Sequence, residues 1–374
     1  MLTENKNEPY HFSGNGLEGD IKDPNNITRD ECFELAKAGK DAWNKWRLEY
    51  PVRKDEIHHQ NSNVADFSEL TFMRSDRIHF HGFNFGDGAN FRSTHFIDQV
   101  HLCSAHFGDD TDFKSACFDS SCCFKGSRFL GSVNFNDCKF SDGTDFGKDS
   151  ENQPVIFGQP PLFHNAQMHS DTNFDGVDWP KTQNNDRAVR AYSVLKLAFS
   201  KLQNTRYEQL FFQLEMDEET NKAMPLMDWV RGKISGAIIA GGIGNLLPRE
   251  LYNAYRFFTG YGTSVARPLY LILSFMITYF SLIVIYATVF NGWNEWVGWR
   301  YIDWELTTKL LKRSIANAFP FLGLHSESVT AIFGATPKTV WTLIFSIVGG
   351  LQKFFSLVGW FLIGLALRNQ FKMK

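Results

Sequence analysis

The sequence predicts a mixed fold: a β-solenoid closed by helices, followed by an α-helical membrane domain with two spans. Three observations carry this expectation. From Phe80 to Phe146 a Phe or Leu recurs in steps that alternate five and six residues, an 11-residue period. After Trp179 the apolar spacing becomes helical. Two long apolar stretches, Leu269–Phe290 and Thr339–Leu367, follow.

The repeat is the strongest signal. Its large positions include Phe91, Phe96, Phe107, Phe113, Phe118, Phe124, Phe129, Phe135 and Phe140. Two residues before each large residue stands a smaller or apolar one, such as Ala89, Thr94, Ala105, Thr111, Ala116, Cys122, Val133 or Cys138. In extended chain, residues two apart share a face. Each unit therefore points one large and one small side chain inward and then turns. A chain that turns so often with one apolar face closes into a coil, and stacked coils bury the Phe columns.

The units Ala65-Asp66-Phe67, Ala89-Asn90-Phe91, Thr111-Asp112-Phe113 and Thr144-Asp145-Phe146 resemble pentapeptide repeats. The resemblance covers about Val64–Trp179. It implies a right-handed, quadrilateral β-helix with the large and small residues inside. Three features depart from the family pattern. The six-residue steps suggest a coil of two 11-residue periods rather than four pentapeptides. The register slips between Phe72 and Phe80. The polar segment Gly147–Pro154 interrupts the repeat, which resumes at Phe157, Phe163, Met168, Phe174 and Trp179. With coils ~4.8 Å apart, about five of them make a rod on the order of 25 Å long.

The chain divides as follows. Residues 1–27, rich in Asn, Asp, Gly and Pro, are expected to be mobile. A helix capping the first coil is predicted within 28–60, opened by the capping-box pattern Thr28-Arg29-Asp30-Glu31. The repeat occupies 61–180. Residues 181–262 form a helical linker and an interfacial segment. They begin with a helix over Asn185–Glu219 that Asn204-Thr205 breaks into a hairpin closing the last coil. The Gly-rich run Ile234–Gly244 lacks a preceding strand and a Lys-Ser/Thr, so it is read as interfacial rather than phosphate-binding. Residues 263–374 form the two-span domain.

Leu269–Phe290 runs 22 residues without a charge, enough for a ~30 Å hydrocarbon core. Trp293, Trp296 and Trp299 follow, as interfacial Trp should. Thr339–Leu367 carries a single charge, Lys353. A Lys within a span costs ~2.5–3.5 kcal/mol on insertion scales, and such residues usually face a bundle interior or water. Between the spans, Trp304–Ala318 reads as an amphipathic helix ending at Phe319-Pro320-Phe321. Together with Tyr261-Gly262 and the tail Gly364–Phe371, these segments make the chain resemble bacterial pentapeptide-repeat proteins with a two-span, ion-channel-like C-terminus. The resemblance fixes no common substrate.

The functional expectation is an oligomeric membrane pore with a repeat domain for assembly or gating. Gln352, Lys353 and Gly349 are read as lining a conduit. Asn317, Phe319, Pro320 and Phe321 are read as shaping its mouth. A membrane-anchored scaffold whose rod binds a partner protein is the alternative, as is a DNA-mimicking inhibitor. Residues 61–180 hold 17 acidic and 8 basic side chains, which suits mimicry of nucleic acid rather than binding to it, so a nucleic-acid partner is not expected. The expected partners are membrane lipid and further copies of the chain. No nucleophile elbow, HExxH, paired CxxC or Walker loop occurs, so neither an enzyme nor a cofactor is expected. His79, His81, His95, His101 and His106 read as solvated surface, and no metal site is expected. The six cysteines, all before residue 139, read as reduced thiols, and no apolar leader opens the chain. A multi-pass inner-membrane protein with both termini in the cytosol follows.

Overall fold

Short extended segments separated by tight turns can satisfy their backbone groups only by pairing with the coil above or below. That is what the repeat does. In the computed structural model, which describes residues 9–52, 63–76, 78–180, 186–223, 249–291, 304–325, 327–333 and 339–371, the repeat is a β-solenoid. Its parallel strands form four stacks. Successive partners are two repeat periods apart in the chain, as in Val100↔Cys122↔Thr144 and Thr111↔Val133. The paired strands make about three turns. Isolated bridges such as Asp66↔Asn90 and Asp145↔Asn173 continue the register beyond them. The chain divides into two compact units, Met1–Lys222 and Ala223–Lys374.

The Phe columns stack almost face to face. One runs Phe67, Phe91, Phe113, Phe135, Phe163, with centroids 4.7–5.0 Å apart. Phe96, Phe107, Phe118, Phe124, Phe129 and Phe140 are likewise buried, none more than 3% exposed. The small inward positions tolerate polar atoms because the coil below supplies acceptors. Thr94 Oγ1 donates to the Phe67 carbonyl, Ser127 Oγ to that of Leu102, and the Cys138 thiol to that of Phe113.

The outward Asp or Asn of each unit turns the corner. Asp66, Asn90, Asp112, Asn134, Asp145 and Asn173 each accept, through Oδ1, the backbone N–H two residues on. These side-chain turns favour Asx where a bare corner would leave a donor unpaired. Positive φ recurs every 11 residues at Gly82, Ser93, Ser104, Ser115, Gly126 and Asp137, with Gly86, Gly88 and Asp110 as further positive-φ positions outside that series. The insertion Gly147–Pro154 bulges outward around Asp149, whose Oδ1 accepts from the Glu151 and Gln153 amides. It lengthens one turn, so that Arg128 pairs with Ile156, without breaking the Phe129–Phe157 stack.

Before the repeat, the structure departs from the expectation of mobile chain over residues 9–27; residues 1–8 lie outside the described residues. Strands β1 (Tyr10–Gly14) and β2 (Leu17–Ile21) form an antiparallel hairpin. Tyr10, Phe12 and Ile21 of this hairpin are buried in the main core, and this apolar anchoring is what orders a segment of loop-like composition. The single helix expected within 28–60 is two, α1 (Arg29–Lys37) and α2 (Lys40–Glu49), because Gly39 at φ 97° breaks it. Trp43 of α2 lies over the first coil, 5.5–5.7 Å from Phe67, Phe83 and Phe85, and its Nε1 donates to the Asn84 carbonyl. After the repeat, α3 (Asp186–Lys201) and α4 (Thr205–Lys222) form a hairpin. Its Phe199, Tyr207 and Phe211 pack edge-on against Phe174. The Tyr207 hydroxyl accepts from the Phe174 amide. The Gly-rich run Ile234–Gly244 and Trp293, Trp296 and Trp299 lie outside the described residues.

The cysteines correct another expectation. Cys103 and Cys123 form a disulfide, with Cα atoms 5.5 Å apart on adjacent coils. Of the four free thiols, Cys32, Cys122 and Cys138 are buried and Cys117 is partly exposed. Cysteine content therefore gives no support to a reducing compartment.

The capping box makes one part of the N-terminal region pH-dependent. Burial pushes the Glu31 carboxyl up, but hydrogen bonds from the Lys22 amide and from the Thr28 hydroxyl and amide outweigh it. The group titrates below its ordinary value. A carboxylate depressed in the folded state stabilises above its unfolded pKa, and the contribution is lost as pH falls through its folded value. Glu31→Gln is expected to lower the melting temperature at pH 7 and to narrow the gap to wild type below pH 4. Melting curves across pH measure this, and a constant gap would contradict it.

Candidate functional site

In the second unit, an apolar stripe with a 3.5-residue period pairs two long helices. Helix α5 (Arg249–Thr259) leads into α6 (Ala266–Asn291). After it come the amphipathic helix α7 (Trp304–Ala318), the short α8 (Val329–Phe333) and α9 (Thr339–Phe371). Helices α6 and α9 are long and apolar enough to cross a membrane, over Ala266–Tyr286 and Val340–Arg368. Among the described side chains of α6, Pro268, Ile272, Tyr279, Ile283 and Tyr286 are buried. On α9 they are Phe345, Gly349, Gln352, Ser356, Gly359, Ile363 and Ala366, in steps of four and three. Small residues in that stripe let the backbones approach. A Cβ on Gly359 would lie 2.8 Å from Ile272 Cγ1 and 3.4 Å from the Pro268 carbonyl.

Helix α7 closes on this pair through polar contacts. Gln352 Nε2 donates to the Ser314 carbonyl at 3.0 Å and to Ser314 Oγ at 2.9 Å. Asn317 Nδ2 donates to the Gly349 carbonyl at 3.2 Å. A Cβ at 349 would stand 3.4 Å from both Asn317 Nδ2 and Tyr279 Cε2, in ordinary contact with each. Trp360 Nε1 donates to the Ala318 carbonyl at the end of α7. Gln352 and Ser356 are fully buried, and Gln352 Oε1 and Ser356 Oγ lack a partner among the described residues. Buried polar atoms cost about 1–3 kcal/mol each when left unpaired.

The conduit-lining residues expected from the sequence are therefore divided. Asn317 meets Gly349, and Gln352 meets Ser314, both inside a single chain. Lys353 is exposed on a different face of α9 from Gln352, because adjacent helical residues do not share a face. It stands beside an exposed apolar stripe that includes Val340, Leu343, Ile347, Leu351, Phe354 and Phe361. The mouth residues sit further along. Phe319 and Phe321 pack against Trp360 at 5.7 and 4.9 Å, with Pro320 between them half-buried and Phe321 61% exposed. Trp360 lies about 12 Å along α9 from Gln352. Ser314 and Ser356 were not singled out from the sequence. The signal was available, because Ser356 is four residues from Gln352 and Ser314 three from Asn317.

On the solenoid, His79 and His101 lie against each other across coils, with centroids 5.9 Å apart and planes tilted by 45°, as their separation by one full coil allows. His95 meets Cys117 and Asp119 instead. The same period carries that signal, since it sets His95 over Cys117.

No family model matches the chain, and neither a curated protein nor a solved structure is similar to it at a significant level.

Proposed function

We propose that the protein is an oligomeric membrane pore whose solenoid, a pentapeptide-repeat β-helix closed at its ends by α2 and by the α3–α4 hairpin, assembles or gates it. The observation that carries this reading is Lys353: an exposed ammonium midway along an apolar helix, beside a stripe of large apolar side chains. Facing lipid, it is costly. Around an axis shared by several copies, it faces water. One hairpin cannot enclose a conduit, so the reading requires a homo-oligomer in contact with lipid. Gln352, Asn317 and Gly349 brace α7 against α9, and Phe319–Phe321 flank one end of the path. Two spans return the chain to its starting side, which we take as the cytosolic face of a bacterial inner membrane.

A specific observation favours a second reading, a membrane-tethered scaffold whose rod binds a partner protein. The Asn317 and Gln352 amides find their acceptors within one chain, so these groups do not demand a neighbouring copy. Native mass spectrometry of the detergent-purified chain separates the two. A closed oligomer is expected, whereas monomer alone would remove the pore and leave the tether.

A further inference from the structure

The outward face of the solenoid brings three metal-ligating side chains together where no site was expected. His95 and Cys117 are Cα partners across a parallel strand pair. Cys117 and Asp119 stand two apart on one extended segment, so both point outward around the buried Phe118. His95 Nε2 is 2.5 Å from Asp119 Oδ2, and the Cys117 thiol donates to Asp119 Oδ1 at 3.2 Å. The nitrogen, sulfur and carboxylate oxygen all lie within 4.8 Å of one another. Ligands ~2.0–2.3 Å from a tetrahedral Zn²⁺ stand roughly 3.3–3.8 Å apart, so only small side-chain rotations separate this arrangement from a coordinated one.

We propose that His95, Cys117 and Asp119 form a Zn²⁺ site that links two adjacent coils of the solenoid. One thiolate, one imidazole and one carboxylate suit a borderline-soft divalent ion and disfavour Ca²⁺ and Mg²⁺, which take oxygen ligands. The backbone holds the ligands in place: the Cys117 amide donates to the Thr94 carbonyl and the Asp119 amide to that of Phe96. Three protein ligands leave a fourth position, and the partial exposure of His95 and Asp119 opens it to water. The proton balance is simple. Zn²⁺ displaces the thiol proton of Cys117 to solvent, and neutral His95 moves its proton to Nδ1. Binding therefore weakens as pH falls. Lys139, the next residue in the same strand stack, faces both Cys117 and Asp119, and its positive charge opposes the incoming cation. Burial and the neighbouring Asp119 carboxylate nevertheless push the Cys117 thiol above its ordinary value.

Titration of the full-length, detergent-purified chain with Co²⁺ as a spectroscopic probe, followed by displacement with Zn²⁺, tests the site. One equivalent is expected to produce a thiolate-to-cobalt charge-transfer band, which Zn²⁺ removes. Cys117→Ser is expected to abolish the band, because the other three free thiols are buried. His95→Ala and Asp119→Asn are expected to weaken binding at least tenfold with unchanged circular dichroism, and His101→Ala to leave it as in wild type. The proposal fails if wild type gives no band, if the band survives Cys117→Ser, or if it needs His101 and not His95.

Discussion

Phe113→Ala is expected to destabilise the solenoid by about 3–5 kcal/mol. Phe113 is fully buried. It stacks between Phe91 at 4.7 Å and Phe135 at 5.0 Å, and meets Phe107 and Phe124 edge-on. Truncation removes the transfer energy of a whole ring and leaves a void that neighbours on three coils cannot fill, because each is fixed by its own ladder. For a unit of this size the loss corresponds to a melting shift of roughly 6–20 °C. Leu130 is the matched control, since it sits beside the buried Phe129 but is 66% exposed. Leu130→Ala is expected to change stability by less than about 0.5 kcal/mol. Thermal melts of the two variants check this, and equal losses would overturn the assignment of inside and outside.

Gly359→Leu is expected to separate α6 from α9. The added side chain begins with a Cβ 2.8 Å from Ile272 Cγ1 and near the Pro268 carbonyl. Ile272 can swing away, but the Pro268 backbone cannot, and overpacking of this kind costs about 1–3 kcal/mol. Gly364, also on α9, is a position where an added Cβ meets nothing within 4 Å, and Gly364→Leu serves as the control. The readout is SDS resistance or thermal aggregation of the purified full-length chain. Loss in both variants, or in neither, would contradict the helix pairing.

Much of the solenoid is legible in the sequence because one period carries it. The 11-residue alternation marks which residues are inside, and its doubling sets which lie over one another. His79 over His101 and His95 over Cys117 both follow from that arithmetic. Departures from the expectations occur where tertiary contact overrides local composition. The Asn- and Gly-rich start of the chain is ordered because Phe12 and Ile21 find a core. Gly39 divides one amphipathic pattern into two helices. Counting cysteines does not reveal the Cys103–Cys123 bond, which joins neighbouring coils at a separation of 20 residues, two short of the register that pairs Cys123 with His101. In the second unit, hydropathy marks the two long helices but not their facing sides. The polar stripe through Gly349, Gln352 and Ser356 emerges only when the 3.5-residue spacing of α9 is set against Ser314 and Asn317 of α7. Gln352 and Lys353 are neighbours in sequence, yet one braces the hairpin and the other is exposed.

The pore reading turns on that exposed lysine. A ring of Lys favours anions, the more so within a low-dielectric wall. Planar-bilayer recording of the purified oligomer in a salt gradient is the direct measurement. The account expects discrete conductance steps with a weak anion preference, a reversal potential that shifts toward cations in Lys353→Glu, and reduced selectivity with retained conductance in Lys353→Met. An absence of conductance from reconstituted oligomer, or a reversal potential indifferent to both substitutions, would contradict it.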